Sequence, residues 1–180
     1  MVMRFVLDTN IVLDWLVFRD PGVAGLQRAV AERSVELITH QPALDELRRV
    51  LAYPQCMLAP AEQQQISTRY QAEAANAELP EGFSLDNLLL PTDFPRCRDR
   101  DDQHFLALAY HAQASALVTK DKVLLRLSKR ARKFGVTILS PAELDSHLAV
   151  IGKDQREGFD AARAYSLISP SKASSGGMAS

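Results

Sequence analysis

Arg4-Phe5-Val6-Leu7-Asp8-Thr9-Asn10 and Ala116-Leu117-Val118-Thr119-Lys120-Asp121 decide how this chain is read. Each is a short apolar run that closes on an acid. An acid at the end of a buried strand is costly unless it is paired or bound to a cation, because desolvating a carboxylate is expensive. Two further acids, Glu46 and Asp102, stand where helical segments begin. Four converging carboxylates would repel one another, and a hard divalent metal is the natural remedy, which points to Mg²⁺ or Mn²⁺. Such sites usually handle phosphates.

Around these two runs, short apolar segments alternate with amphipathic ones. Ile11 to Val17 continues apolar and turns helical until Asp20-Pro21-Gly22 breaks it. Val23 to Glu32 reads as a helix and Val35 to Thr39 as a second strand. Pro42 sits where a first helical turn tolerates it, with Leu44, Leu47, Val50 and Leu51 at helical spacing behind it. Ala61 to Ala77 is polar and reads as a surface helix. The stretch up to Cys97, with Pro80, Gly82, Pro91 and Pro95, is irregular apart from one short strand at Leu88 to Leu90. His104 to Ala114 is helical, Ala116 to Thr119 a strand, Val123 to Lys133 a short basic helix and Val136 to Leu139 a last strand. Ser140 with Glu143 makes a capping box.

Strands alternating with helices predict an α/β fold, a three-layer sandwich with a central parallel sheet covered on both faces. The rhythm stops near Val150, so residues 1–150 form the expected domain. Residues 151–168 form an extension with room for one helix, and residues 169–180, rich in Ser, Gly and Ala, read as a disordered tail.

Composition allows this reading without forcing it. A chain of 180 residues with 47% hydrophobic content has enough material for one real core, and a net charge of −1 neither demands nor excludes nucleic acid. Cys56 and Cys97 make no CxxC or disulfide framework, which fits a reducing compartment. No stretch reaches the roughly 18 apolar residues of a membrane span, so a cytoplasmic protein with no membrane partner is expected.

In an open parallel sheet, ligands bind beyond the carboxyl ends of the strands, at the switch in strand order. Asp8 and Asp121 stand just past strand ends. Glu46 is about one turn into the helix after the second strand, and Asp102 is at the start of the His104 helix, so all four can reach one rim. Singly, the helix-borne acids have plainer roles: Asp102 as an N-cap and Glu46 as a solvated helix acid. His40, His104, His111 and His147 lack metal-ligand spacing and read as surface or helix histidines.

The acid-bearing segments resemble the motifs of the PIN-domain ribonucleases. Val6-Leu7-Asp8-Thr9-Asn10-Ile11-Val12-Leu13 is similar to the opening motif, and Glu46 within Asp45 to Leu51 to the second acid. Asp99-Arg100-Asp101-Asp102-Gln103-His104-Phe105 resembles the third motif and Leu117 to Leu125 the fourth. Ile138 to Glu143 resembles the usual closing strand and helix. The resemblance runs in order from the N-terminus to about Leu148, and is nearest to the bacterial branch that includes toxins of toxin–antitoxin pairs. It implies a Mg²⁺- or Mn²⁺-dependent endoribonuclease with Asp8, Glu46, Asp102 and Asp121 as catalytic metal ligands. It also implies an antitoxin protein as partner and allows a homodimer. Two positions depart from the pattern: Lys120 replaces the usual Gly before the fourth acid, and Val123 replaces an auxiliary acid.

The inferred chemistry is metal-assisted hydrolysis of a phosphodiester, with Asn10, Asp99 and Thr119 in supporting roles. Thr119 serves equally well as an ordinary strand residue. Lys120, Lys122, Arg126, Lys129 and Arg130 crowd beside Asp121 and are the expected RNA contacts. Arg48 and Arg49 follow Glu46, and Arg96 and Arg98 lead into the third motif. Three rival readings compete. A haloacid-dehalogenase-type phosphatase wants an acid two residues after Asp8, where this chain has Asn10. A non-catalytic RNA- or protein-binding module would show no metal-dependent cleavage. A nuclease for structured DNA or RNA shares the chemistry and differs in substrate.

Overall fold

The computed structural model describes residues 2–99, 101–144 and 146–149. A compact unit spans Met1–Asp145, and a second begins at Ser146. Of that second unit, residues 146–149 form a helical turn. The helix expected in 151–168 and the tail at 169–180 lie outside the described residues.

Five strands form one parallel sheet: β1 (Met3–Leu7), β2 (Val35–Thr39), β3 (Ala74–Asn76), β4 (Ala116–Val118) and β5 (Ile138–Leu139). Their order is β3-β2-β1-β4-β5, and every neighbouring pair is parallel. The chain builds outward from β1 to β3, then returns to lay β4 against the other side of β1. The switch in strand order therefore falls between β1 and β4. There the register sets Leu7 against Val118, so both strands end level.

The helices follow from the apolar spacing. They are α1 (Thr9–Leu13), α2 (Ala24–Ala31), α3 (Gln41–Leu51), α4 (Pro60–Glu73), α5 (Gln103–His111), α6 (Lys122–Arg126) and α7 (Ser128–Ala131). In α3, Pro42 occupies the first turn, and Ala43, Leu44, Leu47 and Leu51 turn inward. That leaves Glu46 and Arg49 on its flank. In α5, residues 104–109 are all buried, so it is a core helix enclosed on every side, with His104 as the polar group among them. It packs on β1 and β4, with Phe105, Leu106 and Leu108 fully enclosed. Burying each such side chain contributes about 1.5–3 kcal/mol.

Two elements differ from the sequence reading. The edge strand on the β2 side is Ala74–Asn76, at the end of what reads as a surface helix, and not Leu88 to Leu90. Ala-Ala-Asn has little preference for a strand, but the free edge of β2 needs backbone partners, and that demand overrides local preference. Leu88 to Leu90 stays irregular. Leu89 has positive φ, and the Leu88 carbonyl accepts a 2.8 Å hydrogen bond from His111 Nε2. The basic helix expected at Val123 to Lys133 is two short helices, α6 and α7, and a final 3₁₀ turn. At Ser140, Glu143 reaches back to the backbone N–H at 2.8 Å, as a capping box requires. Among the described residues, no helix is long and apolar enough to cross a membrane.

Candidate active site

Asp8 and Asp121 emerge side by side because β1 and β4 are neighbours with level ends. Asp8 extends the ladder, its N–H donating to the Val118 carbonyl at 3.0 Å. Its carboxylate is almost wholly buried. One oxygen accepts from the Thr119 hydroxyl at 2.6 Å, the other from the Asn10 N–H at 3.3 Å. The second bond makes Asp8 the N-cap of α1. Burial pushes the Asp8 carboxyl above the usual carboxylate range. The hydrogen bonds from Thr119 and Asn10 draw it back, and the charges of Glu46 and Asp121 push it up again. Asp121 is built the same way: its Oδ1 accepts from the Val123 N–H at 2.5 Å and caps α6.

Thr119 ties these two acids together. Fully buried, it donates its hydroxyl to Asp8 and accepts the Asp121 N–H at 2.9 Å. Its contacts with both acids are those a supporting residue would make.

Asp102 stands at the start of α5, yet its side chain makes no capping hydrogen bond. The plain reading of this acid as an N-cap therefore fails. Burial, a hydrogen bond shared with the Asp121 carboxyl, and the charges of Asp8, Asp121 and Asp99 raise it to about 7. The neighbouring Asp121 carboxyl thus adds to burial in favouring the protonated form of Asp102. Asp99 is exposed and bonded through Oδ1 to the Asp101 N–H at 3.0 Å, acting on Asp102 only through its charge.

Glu46 reaches the rim from α3. Burial alone would raise its carboxyl, but hydrogen bonds from His104 and Thr9 and the Arg49 charge hold it below the usual range. The His104 Nε2 to Glu46 Oε2 distance is 3.0 Å. His104 is buried, not a surface histidine, and its ring lies 5.0 Å from that of His40. His40 is 1% exposed, and neither of its ring nitrogens finds a partner among the described residues. Burial and the neighbouring His104 push it down to about 3.

His104 and Thr9 are therefore site residues that sequence reasoning missed. Thr9 carried a faint signal, standing next to Asp8. His104 carried none, because its partner Glu46 is 58 positions away. Lys120 is exposed but is not a free phosphate contact: its Nζ lies 2.5 Å from Asp14 and 2.8 Å from Asp20. Those two carboxylates pin the segment after α1 to the end of β4. Lys122, Arg126, Lys129 and Arg130 are exposed on α6 and α7. Asn10 is exposed and contributes its backbone N–H.

Asp8, Glu46, Asp102 and Asp121 thus converge closely enough to perturb one another. Among the described residues, no group of three or more His, Cys, Asp or Glu side chains stands ready to hold a metal ion. The donor set still fits one. It consists of hard carboxylate oxygens, and the raised Asp102 carboxyl marks crowded negative charge that a hard divalent cation would offset.

No curated protein matches the chain. The model of the PIN domain family matches residues 4–123, a segment that runs from β1 to the first turn of α6 and contains all four acids. PIN domains are generally metal-dependent nucleases that use divalent ions, and with two thirds of its length matched this chain belongs to the PIN domain family.

Proposed function

We propose that the protein is a Mg²⁺- or Mn²⁺-dependent endoribonuclease that hydrolyses RNA phosphodiester bonds, the toxin component of a toxin–antitoxin pair acting in the cytoplasm. One observation carries the reading. Asp8 and Asp121, tied together through Thr119, stand past the level ends of β1 and β4 at the switch point of the sheet, and burial and these two acids raise the Asp102 carboxyl beside them. Surplus negative charge in that place suits a cation–phosphate complex better than any structural role.

Asp8, Asp102 and Asp121 would hold the ion, with Glu46 completing the set. When bound, a divalent ion supplies polarisation of the phosphoryl oxygen and activation of water. The protein's own groups prepare for this. Thr119 fixes the rotamer of Asp8, and His104 with Thr9 fixes that of Glu46, so neither acid has to be ordered at the moment of reaction. The N-caps of α1 and α6 lock the backbone beneath Asp8 and Asp121.

The test is cleavage of a generic RNA with Mg²⁺ or Mn²⁺ present, comparing the parent with Asp8→Asn and Asp121→Asn. Both changes are expected to reduce the rate by about a thousandfold, the scale of losing a main electrostatic stabiliser, with the fold intact by circular dichroism. Full activity in both variants would overturn the assignment. The toxin role predicts growth arrest on induced expression, relieved by co-expressing the product of a neighbouring short reading frame.

A further inference from the structure

Beside the acid centre lies a groove of about 1180 Å³ that the catalytic reading leaves unused. One wall is α3, the other the irregular segment from Leu85 to Cys97, and Glu46 and His104 form its inner end. Its volume is at the upper limit of, or beyond, a typical small-molecule pocket, so it suits an extended ligand. Arg49 and Arg96 line opposite walls, both exposed and neither in an ion pair among the described residues. Arg49 is near enough to the centre for its charge to act on Glu46. Leu85 and Leu89 are among the large apolar side chains that stay exposed, and both face this groove.

We propose that this groove seats the unpaired nucleotides flanking the scissile phosphate of an RNA strand. Arg49 and Arg96 hold the phosphates, and the bases lie against Leu85 and Leu89. The proposal rests on the ribonuclease reading and names how that site takes its substrate. Charge supports it. Asp45 is paired with Arg48 at 2.7 Å and Glu46 with His104, so of the lining acids only Asp86 and Asp101 are in no ion pair among the described residues. A nearly balanced, partly apolar channel with two free guanidiniums suits stacked bases on a phosphate track, not a strongly basic peptide. The basic residues of α6 and α7 do not line it, and Lys120 is already committed to Asp14 and Asp20. Asp86 lines the groove next to Leu85. A carboxylate accepts from exocyclic amino groups and repels carbonyl edges, so cytosine is favoured over uracil.

The experiment is fluorescence anisotropy with labelled oligo(C) and oligo(U) of about 12 nucleotides, in chelator so that no cleavage occurs. The parent is compared with Arg49→Gln/Arg96→Gln and with the control Arg28→Gln/Arg33→Gln, two exposed guanidiniums that do not line the groove. The groove variant is expected to bind oligo(C) about tenfold more weakly, with a shallower dependence of affinity on salt. The control is expected to change less than about twofold, and the oligo(C) preference to shrink in Asp86→Leu. Equal binding by the groove variant and the parent, with thermal midpoints unchanged, overturns the proposal. So does an equal loss in the control. A parent that binds through the groove but cleaves no RNA with any divalent ion removes the ribonuclease reading and leaves the groove assignment standing.

Discussion

Asp8 and Asp121 each close a strand and open a helix, whereas Asp102 and Glu46 project from helices that have no structural use for them. The strand-end acids accept backbone N–H groups as N-caps and are linked through Thr119. Their positions follow from the sheet itself. On the helix side, Asp102 caps nothing, and Glu46 is held by His104 and Thr9. Behind His104 sits His40, buried and held to its neutral form. One half of the centre is thus secured by backbone and the other by side chains that are themselves exposed to changes in protonation. The two halves should therefore fail under different conditions.

Acidification should strike the helix side hardest. His40 has a folded pKa of about 3 against an ordinary 6.5, so the unfolded chain binds its proton more readily. The stability linked to His40 is complete above about pH 6.5 and drains away as the pH falls toward 3. At pH 4 the deficit should reach about 3 kcal/mol. Thermal melts from pH 7 to 4 should show a shallower loss in His40→Leu than in the parent. Parallel curves would remove His40 from the comparison.

Loss of the Glu46 support should cost activity without unfolding the protein. His104→Gln is expected to reduce kcat about 10- to 100-fold, as for other residues that orient a ligand through a hydrogen bond. RNA affinity in chelator should stay close to the parent's. A kcat equal to the parent's would show that Glu46 orients itself.

Asp102→Asn should separate the two halves in the opposite sense, destroying activity while raising stability. A carboxyl raised to about 7 from 3.8 binds its proton better folded than unfolded, so the parent loses stability as the pH rises from about 4 through 7. The variant escapes that penalty. At pH 8 without divalent ions it should be about 1–2 kcal/mol more stable than the parent, after allowance for solvent screening. At pH 5 the difference should shrink. A variant less stable than the parent at pH 8 would show that Asp102 has a structural partner.

The smallest effect distinguishes capping from chemistry at the strand end. Asp121→Asn keeps an acceptor for the Val123 N–H, whereas Asp121→Ala loses it. The Ala variant should melt lower by the equivalent of about 1 kcal/mol, with both inactive. Equal melting temperatures would mean that the cap adds nothing to α6.

Much of this was legible in local sequence. An apolar run ending in Asp-Thr-Asn announces a strand that stops and a helix that starts, and both facts concern neighbouring residues. The edge strand at Ala74–Asn76 was not legible, because its three residues have no strand character and pair only since β2 needs a partner. Leu88 to Leu90 misled for the converse reason: a leucine run looks like a strand wherever it is met, but here it walls a groove. Thr119 read equally as a supporting residue and as an ordinary strand residue, because a place beside the acid fits both. His104 gave no hint of its contact, since its partner is on another helix.

What the sequence determined by itself is the set of acids, their order and the alternation of strand and helix, because these depend on hydrophobic spacing and on backbone groups a few positions away. Only the tertiary structure decided which of those acids crowd one another, which histidine holds Glu46 and which cations remain free. Those outcomes depend on distances between segments remote in the chain, and on the burial that makes a charge in such a place either compensated or costly.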